Sequence, residues 1–242
     1  MKFMLLTAAA ATALIGESAL AQSRSVDMSG IVVDWSGDVE GNGEFSAAAI
    51  DVDGSFGGNL VLSGAAIDAR ARVGGRLSAD GGAIDFEGAV SGPAEFNGGA
   101  VDIEASFGDH VEINAGALGV DRDSVFAGDV DIAAGALHFS GRVEGRLMAE
   151  VGDAEFDGVA VGPIEISAER RRGMFNRRDR SEITIAGQIQ QGGSVCAHEV
   201  IFESGAEVTG TLTVTADEMP EYPAGFDSSN IRFVERDGES CR

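Results

Sequence analysis

The feature that most constrains this chain is a repeat of seventeen residues. The segment GGRLSADGGAIDFEGAV (74–90) is followed directly by SGPAEFNGGAVDIEASF (91–107), which has the same length and nearly the same pattern. A fixed period of this kind is typical of proteins in which each repeat stacks on the next one. Further units begin at Gly57, Gly108, Ala127 and Glu144, a partial unit begins at Val161, and the unit from Gly108 is two residues longer than the others.

Each unit alternates apolar and polar residues in two short runs, which is the spacing of β-strands. Apolar residues or alanine fill the fourth, sixth, eleventh, thirteenth and seventeenth places. The second place is glycine in six units, and we expect these glycines to provide corners with positive φ. They are Gly58, Gly75, Gly92, Gly128, Gly145 and Gly162.

These patterns predict an all-β fold, a single-stranded parallel β-helix (β-solenoid) with about 17 residues per coil. Successive coils would stack ~4.8 Å apart and place like residues in columns. An antiparallel sandwich is the alternative, but such folds rarely keep a fixed period.

The chain begins MKFMLLTAAAATALIGESALAQ, with a lysine, an apolar run and a small-x-small site at Ala19–Ala21. This is the pattern of a cleaved signal peptide (1–21), so we expect an exported protein, periplasmic or extracellular, with no transmembrane span in the mature chain. We predict a cap or linker at 22–36, the solenoid at 37–168, an arginine-rich insertion and return strand at 169–193, and the last coils with a C-terminal cap at 194–242. The unit from Gly37 fits the period if it carries a three-residue insertion.

The formal net charge of −23 excludes nucleic acid as a natural partner, because a phosphate backbone would be repelled. The only two cysteines, Cys196 and Cys241, lie near the C-terminus. In an oxidising compartment we expect them to form a disulfide across the C-terminal cap, with two free thiols as the alternative.

An outward column of carboxylates is predicted at the twelfth place of four successive units, at Asp51, Asp68, Asp85 and Asp102. The interpretation that we favour is a solvated acidic face that prevents association between sheets. The alternative is weak binding of Ca²⁺ or Mg²⁺ between rungs, since hard cations prefer carboxylate oxygens. No other cofactor is predicted.

The insertion AERRRGMFNRRDRSEI differs from the acidic chain around it, because six arginines and one aspartate lie between positions 170 and 180. It is either an exposed loop or a contact element for an anionic polymer, a lipid surface or the acidic face of another copy. The candidate contact residues are Arg170, Arg171, Arg172, Met174, Phe175, Arg177, Arg178 and Arg180.

Enzymatic function is not expected. The chain has no Gly-x-Ser-x-Gly elbow, and His110, His138 and His198 lack zinc-protease spacing. A polysaccharide-active enzyme is a distant alternative, because seventeen-residue coils with tight corners leave little wall for a cleft.

Two segments, VGGRLSADGGAIDFEGAVSG and VIFESGAEVTGTLTVTADEMP, resemble the bactofilins, also called polymer-forming cytoskeletal proteins. The resemblance covers about 37–217, with a break near 169–193. It implies a right-handed β-helix that polymerises end to end without nucleotide and organises the cell envelope.

The export signal, the cysteine pair and the arginine-rich insertion depart from the pattern of that family. From the repeat and the resemblance together we predict a non-enzymatic, exported structural protein that self-associates or binds an envelope polymer or protein. The alternative is an adhesin or a module that binds a glycan or protein partner with one solenoid face.

Overall fold

The computed structural model describes residues 25–169, 181–236 and 241. Within these residues the chain is all-β and contains no helix; it winds into about 12 stacked turns of about 17 residues each. The predicted β-solenoid is therefore confirmed. At ~4.8 Å per turn the stack is roughly 55 Å long.

The first five coils each consist of one long strand that bends around the corners, whereas later coils are split into shorter strands. The strands are β1 (Ser25–Val39), β2 (Asn42–Phe56), β3 (Leu60–Val73), β4 (Leu77–Val90), β5 (Ala94–Phe107), β6 (Val111–Val120), β7 (Val125–Phe126), β8 (Val130–Phe139), β9 (Arg142–Val143), β10 (Leu147–Phe156), β11 (Val159–Ala160), β12 (Ile164–Ala168), β13 (Glu182–Ile185), β14 (Gln188–Ile189), β15 (Gly193–Cys196), β16 (Glu199–Phe202), β17 (Glu207–Val208), β18 (Leu212–Ala216) and β19 (Ile231–Glu235).

All of these strands pair in parallel with the strand one coil away, mostly at a step of 17 residues. The step from Val111 to Val130 is 19, which confirms the longer unit from Gly108. Across the arginine-rich insertion Ala154 pairs with Ile183, a step of 29 instead of 17, so the insertion adds 12 residues to one coil.

The predicted N-terminal boundary of the solenoid, at residue 37, is too late. β1 pairs with β2 in fourteen positions, so the predicted cap or linker at 22–36 contains most of a regular coil from Ser25 onward. After the insertion, coil pairing resumes at Glu182, within the range 169–193 where a return strand was predicted. The signal-peptide prediction (1–21) and the insertion at 170–180 lie outside the described residues.

The three-residue insertion predicted near Gly37 is wrong, because β1, β2 and β3 keep the seventeen-residue step throughout. The fourth place of the second coil is Gly43, which carries no side chain. The ring of Phe56 fills the space that a Cβ at Gly43 would need, so a glycine is accommodated in the apolar column.

The core is one apolar column inside the coils, and the predicted inward places are buried along it. Aromatic rings stack coil on coil, with centroids 5.0 Å apart for Phe107 and Phe126 and 5.5 Å apart for Phe139 and Phe156. Because a coil cannot bury its apolar residues alone, neighbouring coils stabilise one another.

Glycine is required at the second place for a reason other than the predicted one. None of the six, all of which lie in the described part of the chain, has positive φ. A Cβ at Gly75 or Gly92 would lie only 2.8 or 2.6 Å from the carbonyl oxygen of the glycine one coil below. Close approach of stacked backbones, rather than a left-handed corner, therefore selects glycine there.

Candidate functional site: an acidic ladder and two unlike ends

The predicted aspartate ladder forms, and it has one rung more than the sequence pattern indicated. Strand pairing brings Asp34, Asp51, Asp68, Asp85 and Asp102 into one register on the outside of five successive coils. Asp34 was missed because the first coil lacks the glycine at its second place. Its apolar residues Val26, Met28, Val33 and Trp35 do keep the period and could have revealed it.

Electrostatics along the ladder follow from like charges held one coil apart. Partial burial raises the pKa of the Asp85 carboxyl, and the Asp68 and Asp102 carboxylates raise it further. Arg70 lies 3.3 Å from Asp68 and 3.4 Å from Glu87, and this guanidinium partly offsets the repulsion. The ladder is therefore a mostly solvated row of negative charge with one internal counter-charge.

Among residues 25–169, 181–236 and 241, no three His, Cys, Asp or Glu side chains are arranged to hold a metal ion. Weak binding of Ca²⁺ or Mg²⁺ by the ladder stays a prediction.

A shallow groove of about 330 Å³ runs beside the ladder. Its floor is built from alanines at the tenth place of successive coils and from the edges of the isoleucines that follow them. The lining includes Ala49, Ala66, Ala83 and Ala100 on one side and Asp51, Asp68, Asp85 and Asp102 on the other. The groove can hold an extended, uncharged or cationic chain against an apolar floor.

A second polar cluster joins neighbouring coils on the same side of the rod. His138 Nδ1 lies 3.1 Å from Glu155 Oε2, and its Nε2 lies 3.2 Å from Ser140 Oγ. This is the order of groups in a serine hydrolase. However, the groove beside Ser140 is lined by Asp102, Glu104 and other carboxylates, which would oppose an oxyanion.

At the N-terminal end of the described stack, β1 is the edge strand. Among the described residues, β1 pairs with β2 alone. Its side chains are correspondingly exposed, with Ile31 at 82%, Val32 at 68% and Met28 at 37% of full exposure. The sequence predicted a cap or linker for these residues, or a segment that docks on another subunit, whereas the structure places them in a regular coil.

At the C-terminal end, covalent, ionic and aromatic contacts hold a short edge strand, β19, which pairs with β18 alone among the described residues. A disulfide joins Cys196 and Cys241, as predicted, with Cα atoms 5.5 Å apart. Arg236 Nε donates to Asp217 Oδ1 at 2.7 Å, and His198 bonds the other oxygen. The hydrogen bond from Arg236, followed by the one from His198, holds the pKa of Asp217 below its usual range.

Aromatic side chains complete this cap over the last coils. The Phe202, Tyr222 and Phe226 rings form a cluster with centroid distances of 5.0 to 5.4 Å. Glu221 makes a single parallel bridge to Ile201 and β19 then pairs with β18, so these residues form an incomplete further coil.

The predicted contact residues of the arginine-rich insertion, between Arg170 and Arg180, lie outside the described residues. The described residues on either side of the insertion are Glu169, which follows β12, and Ser181, which precedes β13 on the next side of the coil. Glu169 Oε1 accepts a hydrogen bond from the backbone N–H of Cys241, which connects this exit point to the C-terminal cap.

No helix in the described residues is long and apolar enough to span a bilayer. No protein-family model, curated protein or solved structure matches this chain. The resemblance to bactofilins therefore stays a prediction, and the structure by itself defines the chain as a β-solenoid.

Proposed function

We propose that this protein is an exported, non-enzymatic structural element of the cell envelope, a bactofilin-like rod that associates with another copy through its N-terminal end. The observation that supports this most is that β1 pairs with β2 alone among the described residues and exposes Ile31 and Val32. Unpaired strand edges with apolar side chains are templates for pairing with another chain.

The unlike ends favour a limited assembly over an open filament. A head-to-tail filament needs a sticky edge at both ends, but the last strand, β19, has only five residues and lies beside the disulfide-linked cap. An association that uses the same end of both copies closes after two subunits.

Sedimentation velocity of the purified protein over a wide concentration range tests the association. We expect a transition from monomer to dimer that is insensitive to reduction of the disulfide. A monomer at every concentration would contradict the proposed self-association. A continuous series of larger species would replace the dimer with a filament.

The non-enzymatic part of the proposal is supported by the short coils and by the carboxylates around Ser140. A direct check is hydrolysis of small esters by the protein and by Ser140→Ala. We expect equal background rates for both; a rate that Ser140→Ala abolishes would make the protein a hydrolase.

Export rests on the sequence of residues 1–21. Expression with and without these residues, followed by cell fractionation, tests it. We expect the intact chain in the periplasm or medium and the truncated chain in the cytoplasm. The same fate for both would contradict the signal peptide.

The arginine-rich insertion is proposed as a second, salt-sensitive contact. Its charge is opposite to that of the aspartate ladder, so attraction between copies would weaken as salt screens it. Replacing its six arginines with glutamine should lower association at low salt and leave association at high salt unchanged.

The groove beside the ladder supports a second candidate, a module that binds a glycan or protein partner. Its alanine floor and row of carboxylates suit an extended ligand without negative charge. Binding to isolated cell-wall material that Asp68→Asn and Asp85→Asn weaken, while dimerisation persists, would favour this function.

A further inference from the structure

The apolar core is only partly buried in the first described coil, at the N-terminal end of the rod. In the first coil the inward side chains Val26, Met28 and Trp35 are partly exposed. Met28 and Trp35 pair with Phe45 and Val52 in the next coil, and both of those side chains are fully buried. A partner that covers β1 must therefore supply both strand hydrogen bonds and apolar side chains in the same places.

A second copy of β1 supplies both if it runs antiparallel. The corner at Ile31 and Val32 separates two sides of the coil, and inward residues lie on each side of it. In antiparallel pairs, residues directly opposite each other point to the same face of the sheet. A two-fold axis through the corner pairs Ile31 with Val32 of the second copy. It also sets Met28 opposite Trp35, so inward residues meet inward residues.

The aspartates of β1 select this register over its neighbours. With Ile31 opposite Val32, Asp27 faces Ser36 and Asp34 faces Ser29. The nearest shifts that keep the inward faces together are by two residues in either direction, and both of them oppose carboxylates. One shift sets Asp27 against Asp34, and the other sets Asp27 against Asp38; like charges directly opposite are unfavourable.

We infer that two copies join head to head through β1, in the register that pairs Ser29 with Asp34 and Met28 with Trp35. The inference rests on the proposed association through the N-terminal end and adds its geometry. In this register the apolar column runs from one rod into the other, and the two capped ends lie at opposite tips. The contact is isologous, so it closes at a dimer.

Mixed cysteine cross-linking tests the register. Ser29→Cys and Asp34→Cys are prepared separately, mixed and oxidised in a glutathione buffer. Both side chains are exposed in one subunit. We expect a covalent dimer in the mixture at several times the yield of either variant alone. Ser29→Cys mixed with Ser36→Cys, or with Val32→Cys, reports the two shifted registers.

The outcomes separate the register from the association itself. A higher yield with Ser36→Cys or Val32→Cys would overturn the register while leaving self-association intact. No cross-link in any mixture, together with a monomer in sedimentation, would overturn both.

The emission of Trp35 is a second readout, because it is the only tryptophan in the chain. Burial against Met28 predicts a blue shift as the protein concentration rises and no such shift in Ile31→Ser/Val32→Ser. A constant emission in a protein that dimerises would contradict the inferred register.

Discussion

The terminal strands at the two ends of this rod are in different surroundings. At the C-terminus the chain closes the stack with a disulfide, an ion-paired Asp217 and an aromatic cluster. At the N-terminus a strand of fifteen residues ends the described stack without such contacts and exposes Ile31 and Val32. The two described ends therefore differ in length and in local contacts: β19 is short and is held by the cap, whereas β1 is long and exposes apolar side chains.

The largest effect expected at the capped end is that of the disulfide. Cys196→Ser/Cys241→Ser removes a link that closes a separation of 45 residues, worth up to about 4 kcal/mol of unfolding free energy. Hydrogen exchange should accelerate in β18 and β19 and stay unchanged in β1 and β2. Equal acceleration at both ends would show that the cap does not act locally.

At the open end, Ile31→Ser/Val32→Ser should weaken dimerisation at least tenfold, or about 1.4 kcal/mol, because four exposed apolar side chains leave the contact. The unfolding free energy of the subunit should change by less than about 0.5 kcal/mol per site, as expected for exposed positions. Met219→Ser is the matched control, since Met219 is 71% exposed near the other end. A similar loss of dimer in Met219→Ser would place the contact elsewhere.

Asp217→Asn tests the ionic part of the cap. The lowered pKa of Asp217 means that its ionised form stabilises the folded state, by about 1 kcal/mol after allowing for solvent screening. This contribution is present at neutral pH and is lost as pH falls through the folded-state pKa, below the usual value of about 3.9. Urea unfolding from neutral pH downward should show the variant's deficit shrinking in acid. Glu218→Gln, an exposed neighbour, should show no such pH-dependent deficit.

The smallest effect concerns the ladder, which runs only along the N-terminal half of the rod. The raised pKa of Asp85 means that ionisation there costs stability, and stability is recovered as pH falls towards that pKa. Asp85→Asn should therefore stabilise by a few tenths of a kcal/mol at neutral pH, and less in high salt. A destabilised variant would indicate that the ladder holds a bound cation.

The repeat was sufficient to predict the coils because the place of a residue in the seventeen-residue unit decides whether its side chain points inward or outward. Apolar residues at Leu60, Ile67 and Val73 recur at the same places in the next unit, and strand pairing then follows at a fixed step. The Asp51–Asp102 rungs followed from the same counting, whereas the disulfide followed from the presence of two cysteines in a chain expected to be exported. What failed was local: glycines were assigned to corners, although stacked backbones require them.

The ends were harder to predict because a terminal coil has a neighbour on one side only. Its sequence is then free to depart from the repeat, as at Arg24, where glycine is expected. The cluster of His138, Ser140 and Glu155 was not predicted, because the repeat gives the column of a residue but not the side-chain conformation that brings the His138 ring to both partners.

The most direct test of the central claim is electron microscopy of the purified protein with a gold label attached at its C-terminus. Head-to-head association through β1 predicts rods of twice the single length with one label at each tip. Single-length rods with one label, or long filaments with labels at regular intervals, would contradict it.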